Sequence, residues 1–286
     1  MYYGGIEAGG TKFICAVSDQ SFEIIDRVSI PTTTPEETLK QVFSFFDQYQ
    51  LKAIGIGSFG PIDVNTESAT YGYVTSTPKK GWTNYNFVGA IKSRYAVPVA
   101  WTTDVNAAAY GEYRKGNGQQ SKSCLYLTIG TGIGGGAVIN GETIEGFGHP
   151  EMGHITVPNH PNDDFEGVCP YHSNCLEGLA AGPAIEKRLE KKSQDLDPTD
   201  EYWEIEAYYI AQALANYTMI LRPEVLILGG GVMKQAQLFP LIREAFKSII
   251  NDYVVTPDLE TYIVSPGLVD DAGITGSLLL AAEKAV

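Results

Sequence analysis

The chain has 286 residues, 44% hydrophobic and 19% charged, with 31 glycines and 15 prolines spread along it, which excludes a disordered or collagen-like protein and allows one large domain or two ordinary ones. Asp and Glu total 34 against 20 Lys and Arg, a formal charge of −14 with no local basic patch to offset it, so nucleic acid is excluded as a partner. The longest apolar runs, around 225–228 and 278–282, are too short to span a bilayer, and the first five residues lack the character of a leader. No membrane partner is expected, and a reducing cytoplasm is the expected location.

In chain order, strands are predicted at 3–7, 12–17 and 23–30, with Gly9-Gly10 as a tight turn between the first two. Pro35-Glu36-Glu37 opens a helix to about Tyr49, with Thr34 as N-cap and Leu39, Val42, Phe43 and Phe46 at helical spacing. A strand follows at 53–57. The polar, turn-rich segment from Pro61 to Trp82 reads as a long functional loop rather than a core element. A helix at 87–95, a strand at 97–101 and an alanine-rich helix at 105–114 lead to a linker at 115–119. The second half opens with strands at 123–129 and 134–139 and an Asn140-Gly141 turn. Helices at 183–191 and 202–221, a buried strand at 224–228, a helix at 239–251, a strand at 261–265 and a last helix at 273–285 complete the chain. Each half begins strand, glycine turn, strand, and each turn carries a Gly-Thr element. That repetition predicts two α/β domains around a cleft, the first 1–115 plus 272–286 and the second 116–271.

Gly130-x-Gly132-x-x-Gly135 matches the dinucleotide fingerprint formally, but the sequence runs on as a strand into a hairpin, with no helix to receive a pyrophosphate. What remains is a β-turn-β loop whose backbone N–H groups can cradle phosphate oxygens, or a mere tight turn. Two such turns, the first followed by Lys12, favour phosphate. Gly229-Gly230-Gly231 closes an apolar strand, where open α/β sheets bind ligands and where a flat purine or ribose can approach the backbone. Asp104 closes the strand at 97–101 and precedes a helix, a position that suits an N-cap, a catalytic carboxylate or both. Cys15 and Cys124 fall in apolar strands and read as core residues. Cys169, His172 and Cys175, three apart in one loop, have the donor types of a tetrahedral Zn²⁺ site, with His149, His154 and His160 available to complete it.

Gly4-Gly5-Ile6-Glu7-Ala8-Gly9-Gly10-Thr11-Lys12, Asp104-Val105-Asn106-Ala107-Ala108, Leu127-Thr128-Ile129-Gly130-Thr131-Gly132, Glu151-Met152-Gly153-His154 and Leu228-Gly229-Gly230-Gly231 together resemble the motifs of the ROK (repressor, open reading frame, kinase) family of bacterial sugar kinases, most closely its fructokinase branch. The resemblance spans nearly the whole chain. It implies an actin-like, hexokinase-like ATPase fold and ATP-dependent phosphorylation of a free hexose, with D-fructose ahead of glucose, mannose or an N-acetylhexosamine. Asp104 would be the general base, and Thr103, Glu151, His154 and Glu177 would contact the sugar. Gly9, Gly10, Thr11, Lys12, Gly130, Thr131, Gly132, Pro183, Gly230 and Gly231 would hold ATP. His154, Cys169, His172 and Cys175 would bind structural Zn²⁺, and Glu7 would orient the water shell of Mg²⁺. A homodimer is implied as well. Two departures stand out: Thr103 replaces the family's usual Asn before the catalytic Asp, and His172 replaces a Cys in the zinc loop. A sugar-sensing regulator of the same family would need an N-terminal helix-turn-helix, whereas the first strand is expected by Tyr3.

Overall fold

The computed structural model describes residues Met1–Ala285, and contacts gather them into two compact units: Met1–Gly116 with Glu142–Pro150 and the chain from Asp270 onward, and Asn117–Gly141 with Glu151–Val269. The first unit contains β1 (Tyr2–Ala8), β2 (Lys12–Ser18), β3 (Ile24–Pro31), α1 (Pro35–Phe46), β4 (Leu51–Ser58), β5 (Tyr73–Val74), β6 (Tyr85–Asn86), α2 (Phe87–Arg94), β7 (Val99–Thr103) and α3 (Asp104–Lys115). The second unit begins with β8 (Ser123–Ile129) and β9 (Ile133–Ile139); β10 (Glu142–Thr143) falls in the first unit. The second unit continues with α4 (Leu176–Ala180), α5 (Gly182–Leu189), α6 (Tyr202–Leu221), β11 (Val225–Gly229), α7 (Leu238–Ile250), α8 (Leu259–Tyr262) and β12 (Ile263–Val264). The last helix, α9 (Ala272–Lys284), returns to the first unit.

The sheet of the first unit runs β3-β2-β1-β4-β7, antiparallel across β3, β2 and β1 and parallel across β1, β4 and β7. Its apolar strands feed a core that includes Ile6, Phe13, Phe46, Ile54 and Ile56. On the other face α9 packs Ile274 and Leu278 against Tyr3, Ile14 and Ala53. α9 can lie close to the sheet because Gly55 of β4 has no side chain, where a Cβ would strike the Ser277 carbonyl, and close to α3 because Gly111 and Gly276 present bare backbone, where a Cβ on either would strike the backbone of the opposite helix. The second unit repeats the plan: β8 and β9 are antiparallel, while β8, β11 and β12 run parallel. Cys15 and Cys124 are both buried, as their apolar strands require.

Three elements differ from the sequence reading. The polar segment from Pro61 to Trp82 contributes to the core: Ile62, Val64 and Val74 are buried in it. Trp82 is fully buried, with ring centroids 5.3–5.6 Å from those of Phe13, Phe59, Tyr85 and Phe87. A buried indole of that kind is worth roughly 4 kcal/mol of apolar burial, which outweighs the polarity of its neighbours. The strand expected at 261–265 shrinks to two residues, because Asp258 caps a short helix through the Glu260 N–H (2.9 Å). At the head of α3 the cap is Thr103, not Asp104. The Thr103 hydroxyl accepts the Asn106 N–H (3.1 Å), which makes Asp104 the first helical residue.

Candidate active site

In the first unit the candidate residues gather where β1, β4 and β7 end. The Gly9 N–H donates to the Lys12 carbonyl (3.0 Å), closing the β1–β2 turn. The Thr32 hydroxyl and the Thr32 N–H hold the Gly9 and Thr11 carbonyls (2.7 and 2.9 Å). Asp104 begins α3 beside β4: a Cβ on Gly57 would lie 3.3 Å from the Asp104 Cα. Its Oδ1 accepts the Val105 N–H (2.9 Å), so the carboxylate sits at the positive end of the helix. Glu7 lies on β1 within the field of Asp104, and its Oε2 is closed to solvent without a hydrogen-bond partner. Burial, followed by the charges of Asp104 and Asp271, pushes the Glu7 carboxyl up to about 7 against the opposing pull of Lys12 and Arg27. Glu145 joins the same region by accepting the Thr102 hydroxyl (3.3 Å), and His149 Nε2 accepts the Ile62 N–H (3.1 Å). The sequence reading gave Glu145 no role. Its only signal is a carboxylate in a glycine-rich turn.

In the second unit the glycine loop between β8 and β9 meets two other candidate segments. The Gly130 N–H donates to the Gly132 carbonyl (2.9 Å), and the Gly182 N–H at the head of α5, next to Pro183, donates to the Gly130 carbonyl (2.7 Å). Gly230, at φ +94°, follows β11 and lies against the backbone of Ile129, where a side chain would clash, and a Cβ on Gly130 would lie 3.7 Å from the Gly231 N. Thus Gly130–Gly132, Pro183 and Gly230–Gly231 share the corner where parallel β8 and β11 end, the usual ligand edge of such a sheet.

The same unit draws His154, Cys169, His172 and Cys175 together, their ligating atoms all within 4.8 Å of one another. His154 Nδ1 is 3.8 Å from Cys169 Sγ and 3.7 Å from Cys175 Sγ, and His172 Nδ1 is 3.7 Å from Cys169 Sγ. In a tetrahedral zinc site, bonds of about 2.3 Å to sulfur and 2.0–2.1 Å to nitrogen place S and N roughly 3.6 Å apart, so the donor set and its spacing fit Zn²⁺. Of the three histidines that could complete the loop, the structure selects His154. His149 is engaged with Ile62, and His160 Nδ1 accepts the Asn162 N–H (3.2 Å). Cys175 also caps α4, its sulfur accepting the Gly178 N–H (3.3 Å).

Glu177, in the first turn of α4, faces His154 with one oxygen (Oε1 to Nε2, 3.8 Å) and accepts the Ile133 N–H with the other (2.8 Å). It therefore touches both the metal-type cluster and the second glycine loop. Glu151 precedes the single turn Met152–His154 and accepts the His154 N–H on its carbonyl (3.0 Å). Behind the cluster, Arg188 of α5 pairs with Asp163 (3.0 Å), donates to the Leu179 carbonyl of α4 (3.0 Å) and lies over the Phe165 ring (4.1 Å), tying down the loop that leads to Cys169.

Residues 3–284 match the sequence profile of the ROK family, and the chain belongs to that family. It is 49% identical over 290 residues to a fructokinase of Streptococcus mutans, covering 99% of this chain and 98% of that protein. With a fructokinase of Pediococcus pentosaceus it shares 50% identity over 281 residues, covering 98% of each. In structure it is similar to the ROK hexokinase of Thermus thermophilus, with a TM-score of 0.84 and 26% identity over 99% of both chains. This likeness identifies the fold as the hexokinase-like ATPase type. No helix among the described residues is long and apolar enough to cross a membrane.

Proposed function

We propose that this protein is an ATP-dependent kinase that converts D-fructose to D-fructose 6-phosphate, with Asp104 as general base and the two compact units as its two domains. The observation that carries the reading is the position of Asp104, a carboxylate on the first turn of α3 that lies against Gly57 of β4 and within the field of Glu7. Full-length relatives named fructokinase, at about half identity, support fructose over other hexoses.

A sugar hydroxyl is a weak nucleophile at neutral pH, so Asp104 accepts its proton as the oxygen attacks the γ-phosphorus. The new O–P bond forms as the bond to the β-phosphate oxygen breaks, ADP leaves with that electron pair, and Asp104 later returns its proton to solvent. Thr103, Glu151, His154 and Glu177 position the sugar hydroxyls. Gly9, Gly10, Thr11, Lys12 and Gly130–Gly132 receive the phosphates, while Pro183, Gly230 and Gly231 receive the nucleoside. Mg²⁺ bound with ATP would neutralise phosphate charge, which a chain of −14 net charge needs. Glu7 suits its water shell, because a cation there would relieve the unpartnered Oε2 and the crowding with Asp104 and Asp271. His154, Cys169, His172 and Cys175 would hold structural Zn²⁺, which keeps His154 and Glu177 facing the sugar. A cytoplasmic homodimer completes the reading.

The test is ADP release measured across fructose, glucose, mannose and the N-acetylhexosamines. Fructose is expected to give the highest kcat/KM. Another hexose far ahead of it would replace the substrate, and no ADP release with any sugar would refute the kinase.

A further inference from the structure

Apart from the Ile62 N–H that His149 accepts, the segment from Pro61 to Trp82 takes no part in the site described above, yet its end is built onto the first glycine turn. Trp82 is the anchor: its indole N–H donates to the Thr33 carbonyl (2.8 Å) from inside the aromatic core. The residue beside Thr33 is Thr32, which holds both Gly9 and Thr11. Neighbouring residues of one extended segment therefore fasten the loop and the turn to a common support. Within the loop, the Trp82 N–H donates to the Lys79 carbonyl (3.1 Å), the Lys79 N–H to the Thr77 hydroxyl (3.4 Å), and the Thr83 hydroxyl to the Thr77 carbonyl (2.9 Å). Gly81, at φ +81°, makes the turn that reverses the chain between Lys79 and Trp82.

This mount sets the partly buried Lys79 side chain across Gly10. A Cβ at Gly10 would lie 2.9 Å from Lys79 Cε and 3.2 Å from its Nζ, so the absence of a side chain there is what lets the ammonium rest on the turn. Among the described residues Lys79 makes no ion pair. Its neighbour Lys80 is exposed, and its charge falls on Glu37 of α1 instead. An ammonium held on a glycine turn by a buried aromatic anchor, with no carboxylate to neutralise it, is suited to an anion that arrives at the turn. We infer that Lys79 is a second phosphate-binding cation, which acts with Lys12 on the terminal phosphoryl oxygens of MgATP at the Gly9-Gly10-Thr11 turn.

The inference rests on the nucleotide reading of that turn, and the experiment separates the two. MgATP is titrated calorimetrically without sugar, and steady-state constants are measured, for the parent, Lys79→Met, Lys79→Arg and Lys80→Met. A charge-assisted contact of this kind gives a loss of roughly 10- to 100-fold. Lys79→Met is expected to lose that much in MgATP affinity and in kcat/KM for ATP, with the KM for sugar within about twofold of the parent. Lys79→Arg is expected to regain most of the loss, and Lys80→Met to behave as the parent. Unchanged MgATP binding and unchanged constants in Lys79→Met would overturn the assignment. So would a weakening confined to inhibition by fructose 6-phosphate, which would place the cation on the sugar phosphate. A parent that neither binds MgATP nor phosphorylates any hexose would sink the kinase reading, and this inference with it.

Discussion

Glu177 offers a substitution pair that separates two jobs of one side chain. One oxygen accepts the Ile133 N–H at 2.8 Å and the other faces His154 Nε2 at 3.8 Å. Glu177→Ala removes the acceptor from the N–H of Ile133, a buried residue, whereas Glu177→Gln keeps a carbonyl that can accept the same N–H. A hydrogen bond to a charged acceptor contributes about 1.5–3 kcal/mol. The Glu177 side chain is 28% exposed, so water replaces part of the bond and the lower end applies, about 1.5 kcal/mol or roughly tenfold. If the bond sets the second glycine loop for phosphate, Glu177→Ala raises the KM for ATP roughly tenfold while Glu177→Gln stays within about threefold. Both variants lose the charge facing His154, so both raise the KM for sugar to a similar extent. Coupled ADP-release assays with each substrate varied in turn measure all four constants. Equal KM values for ATP in the two variants would refute the claim that this carboxylate holds the loop.

Two other outcomes are expected. Glu206 is fully buried, its Oε2 accepts the Tyr202 hydroxyl (2.7 Å), and burial pushes its carboxyl up from 4.5 to about 8 although Tyr202 and Arg188 pull the other way. The folded chain therefore keeps a proton that the unfolded chain sheds, so stability falls as pH rises from about 4.5 to about 8. Glu206→Gln is expected to equal the parent near pH 5 in urea unfolding and to exceed it by roughly 2–4 kcal/mol at pH 8; a difference that does not change with pH would contradict this. Cys175→Ser is expected to lose bound zinc and several degrees of thermal stability together, measured by elemental analysis and calorimetry, with about one zinc retained per parent chain. A zinc-free Cys175→Ser protein with parental activity would show that the cluster is dispensable.

Local signals carried much of this structure in the sequence. The glycine turns at 9–10 and 130–132, the Thr34 cap and the Cys169–Cys175 loop all depend on residue types whose backbone or donor chemistry is intrinsic. Long-range packing was not legible. Trp82 sits among polar residues, and nothing near it in sequence shows that Phe13, Phe59 and Phe87 enclose it. The same blindness hid Lys79, which a lysine-rich turn presents as an ordinary solvated cation until the fold lays it across Gly10. Thr103 and Asp104 are both plausible caps one residue apart, and only backbone geometry assigns the role to Thr103. Residue types alone left His149, His154 and His160 open as the fourth donor; the family resemblance implied His154, and that is the histidine the fold brings to Cys169, His172 and Cys175.

The proton-accepting role of Asp104 is tested most directly by Asp104→Asn, which preserves shape and hydrogen-bonding capacity but not basicity. Turnover is followed by ADP release, and sugar binding to the same protein by calorimetry. The account predicts that kcat falls by roughly 10²–10⁴-fold while fructose binding stays close to that of the parent. Turnover within about tenfold of the parent, with binding intact, would contradict it.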